Sequence, residues 1–267
     1  FLHIIVYLGF VVINIEVIEI IIDGLFGTHR VLSFMGGFYD ILIGTFEILA
    51  LLVLITVIIF WIRRNGTKLA RFNSTDLNGK SKNDANYILY FEVVLMSLFL
   101  LMNAADLHLQ NLGIGHYNQA GSFPISQFIA PMFNGMNEGV VVIIERVSWW
   151  LHIAGILVFL NYLYFSKHLH ILLAFPNTFY ADLNAKGKLD NLESVTNEVK
   201  LMMDPTADPF AAPANPDAVS AKFGASDVQD LNWVQLLNAY SCTECGRCTS
   251  SCPASQTGKK LSPRKIM

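Results

Sequence analysis

The chain has 267 residues, of which 53% are hydrophobic and only 15% charged, against about 25% charged in soluble proteins. That balance excludes an ordinary soluble globule, and a net charge of −3 gives no support for a nucleic-acid partner. The apolar residues crowd into the first two thirds while the last third is polar, which implies a membrane part followed by a water-exposed part.

A spanning helix needs about 20 mostly apolar residues, and four runs qualify. They are Phe1 to Ile22, Phe34 to Ile62, Tyr87 to Leu107 and Gly139 to Phe165. The second exceeds what a bilayer requires, so it is expected to tilt or protrude. Phe1 already lies inside an apolar run, with no Met and no signal-peptide charge pattern. The chain is therefore expected to begin part-way through a longer protein. After the second span the loop carries Arg63, Arg64, Lys68, Arg71, Lys80 and Lys82, whereas the loop from Gln110 to Asn137 holds no Lys or Arg. The positive-inside rule places the first loop in the cytoplasm and the second outside. The fourth span then delivers Lys167 and everything after it to the cytoplasm. Within the outer loop, Phe123-Pro124-Ile125 and Phe128 to Phe133 are compatible with a helix on the membrane surface, a lid, or plain loop packing.

Beyond the spans, Asn177 to Met203 is of mixed polarity. Asp204 to Pro216 contains four prolines and reads as a semi-rigid linker. Asp227 to Tyr240 reads as a short amphipathic helix leading into the cysteines.

All four cysteines fall in one run, Cys242-x-x-Cys245-x-x-Cys248-x-x-x-Cys252-Pro253. This is the spacing of bacterial ferredoxins, in which two-residue gaps wrap three thiolates around one cluster and the fourth ligates a second. Zinc sites favour separated Cys or Cys/His pairs. A disulfide pair is the other alternative, and four clustered cysteines outside the spans fit a reducing compartment, where clusters are assembled. Cys242, Cys245, Cys248 and Cys252 are thus candidate [4Fe-4S] ligands.

Seven histidines are present, and a histidine inside a span is costly to leave unpaired. His152 and His170 are separated by five helical turns. On one continuous helix they would share a face, roughly 27 Å apart, as two stacked b-type haems require. By depth, His3 matches His170 for a lower haem, and His29 or His108 matches His152 for an upper one. His168 points away from His170, which fits a headgroup-facing, structural or haem-propionate contact, and His116 reads as a surface-loop residue. The spans also carry acids, among them Glu16, Glu19, Asp40, Glu47, Glu92, Asp106 and Glu145. Such groups mark proton or substrate pathways, or hydrogen-bond neighbouring helices.

The expected fold is all-α. A transmembrane haem b bundle of four spans covers 1–170, a cytoplasmic linker covers 171–226, and the start of a small ferredoxin-like α-helical iron–sulfur domain covers 227–267.

The pattern His3-x5-Gly9-Phe10 with Glu19, the stretch Trp149-Trp150-Leu151-His152, the tract Ser166-Lys167-His168-Leu169-His170 and the cysteine run carry a resemblance over nearly the whole chain. Together they resemble membrane-bound oxidoreductases that fuse a nitrate-reductase-gamma-like haem b domain to a heterodisulfide-reductase-like iron–sulfur domain. The resemblance implies His3, His152 and His170 as haem ligands. It also implies one or two haems b, [4Fe-4S] clusters and electron transfer between a cytoplasmic donor, often electron-transfer flavoprotein, and menaquinone in a bacterial cytoplasmic membrane. The sequence departs from the pattern in lacking a span before His3 and a second cysteine motif, and in having Ile13 where the gamma subunit has a second histidine. Two other expectations stand beside this conduit. One is a quinone-linked disulfide or organic-acid oxidoreductase subunit, and the other is a haem-free membrane anchor for a soluble redox partner.

Overall fold

The structure, a computed structural model, describes residues 1–67, 69–72, 74–185, 187–188, 191–206 and 224–267. Lys68 and most of the proline-rich stretch lie outside the described residues. Among the described residues regular structure is entirely helical. It comprises α1 (Leu2–Phe26), α2 (Gly37–Trp61), α3 (Lys80–Leu112), α4 (Glu138–Leu163), α5 (His170–Phe179), α6 (Glu193–Met203), α7 (Trp233–Tyr240), α8 (Arg247–Ser251), α9 (Pro253–Gln256) and α10 (Pro263–Ile266). The chain divides into two compact units, residues 1–168 with 244–267, and residues 169–243.

In the first unit, α1 to α4 are long and apolar enough to cross a membrane. Their polarity is turned inward. On α1 the residues Ile4, Leu8, Val11, Ile15 and Ile18, spaced by three or four, are exposed, while Gly9, Ile13, Glu16, Glu19 and Ile20 are buried. Hydrocarbon outside and carboxylates inside suit lipid, where an outward charge is costly and bundle interiors satisfy polar groups. The core is built from Tyr39, Ile43, Phe46, Phe99 and their neighbours. Between α3 and α4 the Leu95 side chain packs onto Gly155, where an added methyl would lie 2.7 Å from Leu95 Cδ2.

The segment between α3 and α4 dips into the bundle instead of lying on its surface. Glu47 of α2, fully buried, draws it in. Its Oε2 accepts from the backbone N–H groups of Ile125 at 2.9 Å and Ser126 at 3.1 Å, and its Oε1 accepts from Asn103 Nδ2 at 3.2 Å and from the Ser126 hydroxyl. Non-helical backbone at membrane depth needs such internal partners. Glu47 is therefore a structural acid.

His152 and His170 would share a face only on one continuous helix, and α4 stops at Leu163. The stop is tertiary. Asp84 of α3 accepts from the Lys167 backbone N–H at 3.1 Å and from the Tyr162 hydroxyl at 2.5 Å, and Ser166 Oγ accepts from His168 N at 3.1 Å. Side chains that capture backbone donors compete with the helical ladder. A 3-10 turn, Lys167–Leu169, follows before α5 restarts at His170.

In the second unit, Tyr180 meets Trp233 edge to face at 4.6 Å. A reciprocal cap between Asn232 and Gln235 starts α7, satisfying two otherwise orphaned backbone donors.

Candidate functional site

The alternation of four antiparallel helices brings the α2–α3 connection and the end of α4 to one end of the bundle. There they meet Glu244–Met267, the segment that carries Cys245, Cys248 and Cys252. Lys167 Nζ donates to Glu244 Oε2 at 2.5 Å and to the Ser81 carbonyl at 2.6 Å, and Ser81 Oγ donates to Glu244 Oε1 at 2.7 Å. Arg264 Nη1 donates to the same Oε1 at 2.6 Å, and its Nη2 donates to the Asp76 backbone carbonyl. Asp76 Oδ2 accepts from Ser262 Oγ at 2.7 Å and Thr249 Oγ1 at 3.2 Å, while Ser74 donates to its other oxygen. Two loops and one helix end are thus riveted around a pair of carboxylates.

Both carboxylates are tuned by this network. Burial pushes the Asp76 carboxyl up, but the hydroxyls of Ser74, Ser262 and Thr249 outweigh it and hold the group at about 2. Burial likewise raises Glu244, and the Lys167 ammonium and Ser81 hydroxyl bring it below its ordinary value. Glu244 itself sits at φ 50, a left-handed conformation that a non-glycine residue holds only under external restraint. Gly246, next but one, has φ +73, and a methyl there would lie 2.7 Å from the Arg71 carbonyl. Only glycine fits this approach. The chain between the cysteines is therefore shaped by the bundle it rests on.

The donor set suits a thiolate-ligated group. The four cysteines are half-buried except for the exposed Cys248. Cys242, the first of the four, falls in the second unit just beyond α7, with its N–H donating to Ala239 O at 3.2 Å. Among the described residues no three His, Cys, Asp or Glu side chains converge on a single-ion site.

Three positions on α3 set a scale along the bundle. Asp84, Leu95 and Asp106 lie eleven residues apart, close to three turns, so they share a face at intervals of roughly 16 Å. Asp84 marks the cysteine end. Opposite Leu95 is His152, 2% exposed, whose Nδ1 lies 3.0 Å from the Leu95 carbonyl. A carbonyl only accepts, so Nδ1 carries the proton and Nε2 keeps its lone pair for a ligand. His3 sits in the first turn of α1, exposed, its ring 6.1 Å from Phe60 near the end of α2. That places it at the cysteine end. His168 is buried against Phe159, and His170 opens α5 in the second unit. His108 is half-buried with its ring 6.0 Å from Phe133.

Asp106 belongs to the remote end. It accepts from Arg30 Nε at 2.7 Å and lies 3.0 Å from His29 Nε2. Arg30 spends its other arms on Tyr39 Oη at 3.2 Å and Asn103 Oδ1 at 3.0 Å. Burial alone would lower the Arg30 pKa, but Asp106 holds the guanidinium protonated, well above its ordinary value. A cavity of about 190 Å³ opens beside this cluster, lined by Glu16, His29 and Trp149 among others. The acids Asp76 and Asp84, the Lys167–Glu244–Arg264 chain and this cavity escaped the sequence reading. The placing of Asp84 and Asp106 twenty-two residues apart, close to six turns, on one apolar helix was the one legible signal.

No protein-family model matches the chain, and no solved structure matches it. It is 32% identical over 266 residues to a probable iron-sulfur-binding oxidoreductase, FadF, of Bacillus subtilis, covering all of this chain and 33% of that protein. It is 26% identical over 270 residues to EtfAB:quinone oxidoreductase of Syntrophomonas wolfei, covering 98% of this chain and 33% of that protein. A segment of 51 residues is 39% identical to part of a probable membrane-anchored ferredoxin of Chromohalobacter salexigens, 19% of this chain and 8% of that protein. The chain thus spans about a third of the length of the two relatives that it matches end to end.

Proposed function

We propose that this chain is the membrane part of an iron–sulfur oxidoreductase that passes electrons between a cytoplasmic donor, electron-transfer flavoprotein, and menaquinone. The observation that carries the reading is the riveting of the cysteine-bearing segment to one end of a bundle of membrane-length helices. A tethered ferredoxin would need no such joint, whereas an electron conduit needs its centres held in fixed positions. The names of the two long relatives, one iron-sulfur-binding and one acting on quinone, support the same class.

By their spacing, Cys242, Cys245 and Cys248 would share a [4Fe-4S] cluster, with Cys252 left for a second. His3 and His170 would hold a haem b, and His152 offers a lone pair at mid-depth for another. When bound, these groups supply one-electron chemistry, while the protein supplies position and electrostatics. Lys167 and Glu244 fix the cysteine loop, and Leu95 fixes the His152 tautomer. His29, whose Nε2 is committed to Asp106, and His108 are left out of this ligand set. The cysteine end carries Arg63, Arg64, Arg71, Lys80 and Lys82. That charge favours a cytoplasmic placement in a bacterial inner membrane.

A reduced-minus-oxidised spectrum of the purified protein, with iron content, tests the reading. The expected result is a b-type α band together with cluster iron. His170→Ala should remove one haem and keep the cluster. Iron without haem would leave only a membrane anchor carrying a cluster.

A further inference from the structure

The cavity at the remote end contains two buried polar atoms without partners. Glu16 is 3% exposed, yet its Oε2 accepts no hydrogen bond, and His29, with an 8% exposed side chain, has an unpartnered Nδ1. Both residues line the cavity. Buried polar groups are almost always satisfied, so two orphans facing one space point to a missing ligand. The other acids here are engaged. Glu19 accepts from Leu32 N at 2.9 Å and Tyr39 Oη at 3.0 Å, and Glu145 accepts from Tyr117 Oη at 3.0 Å.

What the cavity could take is limited by what is already spent. All arms of Arg30 have partners, and Arg146 is paired with Glu145, so no free cation awaits an anionic ligand. No three candidate ligands converge on a metal ion among the described residues. The apolar part of the lining includes Ile20, Met102 and the Trp149 ring. A volume of about 190 Å³ has room for about six waters, at about 30 Å³ each, or for one flat ring system.

Taking the proposed quinone-linked function as its basis, we infer that this cavity is the binding site of the quinone head group. Glu16 and His29 recognise the oxygen-bearing edge of the ring, and Trp149 lies against its apolar part. A quinol hydroxyl donates to Glu16 Oε2 or to His29 Nδ1, whereas a quinone carbonyl needs either group protonated. The site therefore distinguishes the two redox forms. It lies about 33 Å along α3 from Asp84, at the end of the bundle remote from the cysteines. The His152 level falls between the two.

The test uses the full chain in lipid nanodiscs and 2-methyl-1,4-naphthoquinone as probe, with binding followed by quenching of tryptophan fluorescence. Glu16→Gln and His29→Gln should each weaken binding tenfold or more while leaving iron content and the haem spectrum unchanged. An azido derivative of the probe should crosslink to α1 or α4 in the unaltered protein, a measurement that needs no variant to fold. Crosslinking elsewhere, affinities within twofold of the unaltered protein in both variants, or no saturable binding would overturn the site. The two readings fail separately. Cluster iron and haem with crosslinking elsewhere sinks the site and leaves the conduit; crosslinking at α1 or α4 without haem sinks the conduit and leaves the site.

Discussion

The two ends of the helix bundle use the same residue types for opposite purposes. At the cysteine end Lys167, Glu244, Arg264 and Asp76 are all in ion pairs with one another or with neighbours, and serine and threonine hydroxyls fill the gaps. At the remote end Arg30 and Asp106 are as well matched, but Glu16 and His29 beside them are left with open valences. The buried orphans at the cysteine end, Arg64 Nε and Arg264 Nε, belong to guanidiniums with other arms already engaged, whereas Glu16 and His29 face a cavity. The presence of buried charge does not separate joint from site. Its bookkeeping, partner by partner, does.

The comparison is broken most severely by removing Arg30. Its guanidinium compensates Asp106 and ties α2 to α3 through Tyr39 and Asn103, so Arg30→Met leaves a buried carboxylate without its cation, at a cost of about 3–5 kcal/mol. Thermal unfolding in detergent should show a large drop in midpoint or no recoverable folded protein. A shift as small as that of a surface substitution would mean that the remote network is ornamental to the fold.

Acid should strike the cysteine end selectively. Asp76 titrates at about 2 in the fold against an ordinary 3.8, so its charged form is the stabilising one. Its contribution is complete above about pH 4 and is lost as pH falls toward 2. At about 1.4 kcal/mol per unit this is on the order of 2 kcal/mol. Tryptic cleavage at Lys259 and Lys260 after brief acid pulses should rise over that window in the unaltered protein. With Asp76→Asn the joint should be weaker at neutral pH and keep only the pH dependence that Glu244, also held below its ordinary value, contributes.

Much of this was readable from the chain, and the boundary of legibility is physical. The four spans, the cysteine run and the charge asymmetry of the loops are local properties of composition and spacing, and they survive in the fold. The stop after Leu163 was not legible, because Tyr162 to Lys167 reads as more helix until Asp84, some eighty positions earlier, takes the Lys167 N–H. The inward dip of the Phe123–Phe133 loop was hidden for the same reason, since its partner is Glu47. The intramembrane acids could be flagged, but their division into structural Glu47 and Glu19 and open Glu16 depends on which donors the fold brings within 3 Å. Pattern locates elements, and only tertiary hydrogen bonding assigns their polar residues.

The smallest effect is expected at the Lys167–Glu244 pair. If the cysteine end is a joint, Lys167 and Glu244 should be coupled energetically, not merely adjacent. Lys167→Met and Glu244→Gln should each cost about 1–2 kcal/mol in docking of the 244–267 segment, read as protection from trypsin. The double variant should cost less than their sum by about 0.5–1 kcal/mol, the signature of a direct pair. The side chains are 9% and 24% exposed, so the pair is screened only in part, and raising salt should reduce the coupling without abolishing it. Bundle melting should not move in any of the three, because none of these residues contributes to the core around Phe46 and Phe99. Strict additivity would show that the segment is held by Arg264 and Asp76 alone. In that case Glu244 adopts its left-handed backbone for the sake of the cysteine loop and not of the ion pair, and Glu244→Gly should then tighten docking where the joint reading expects it to loosen.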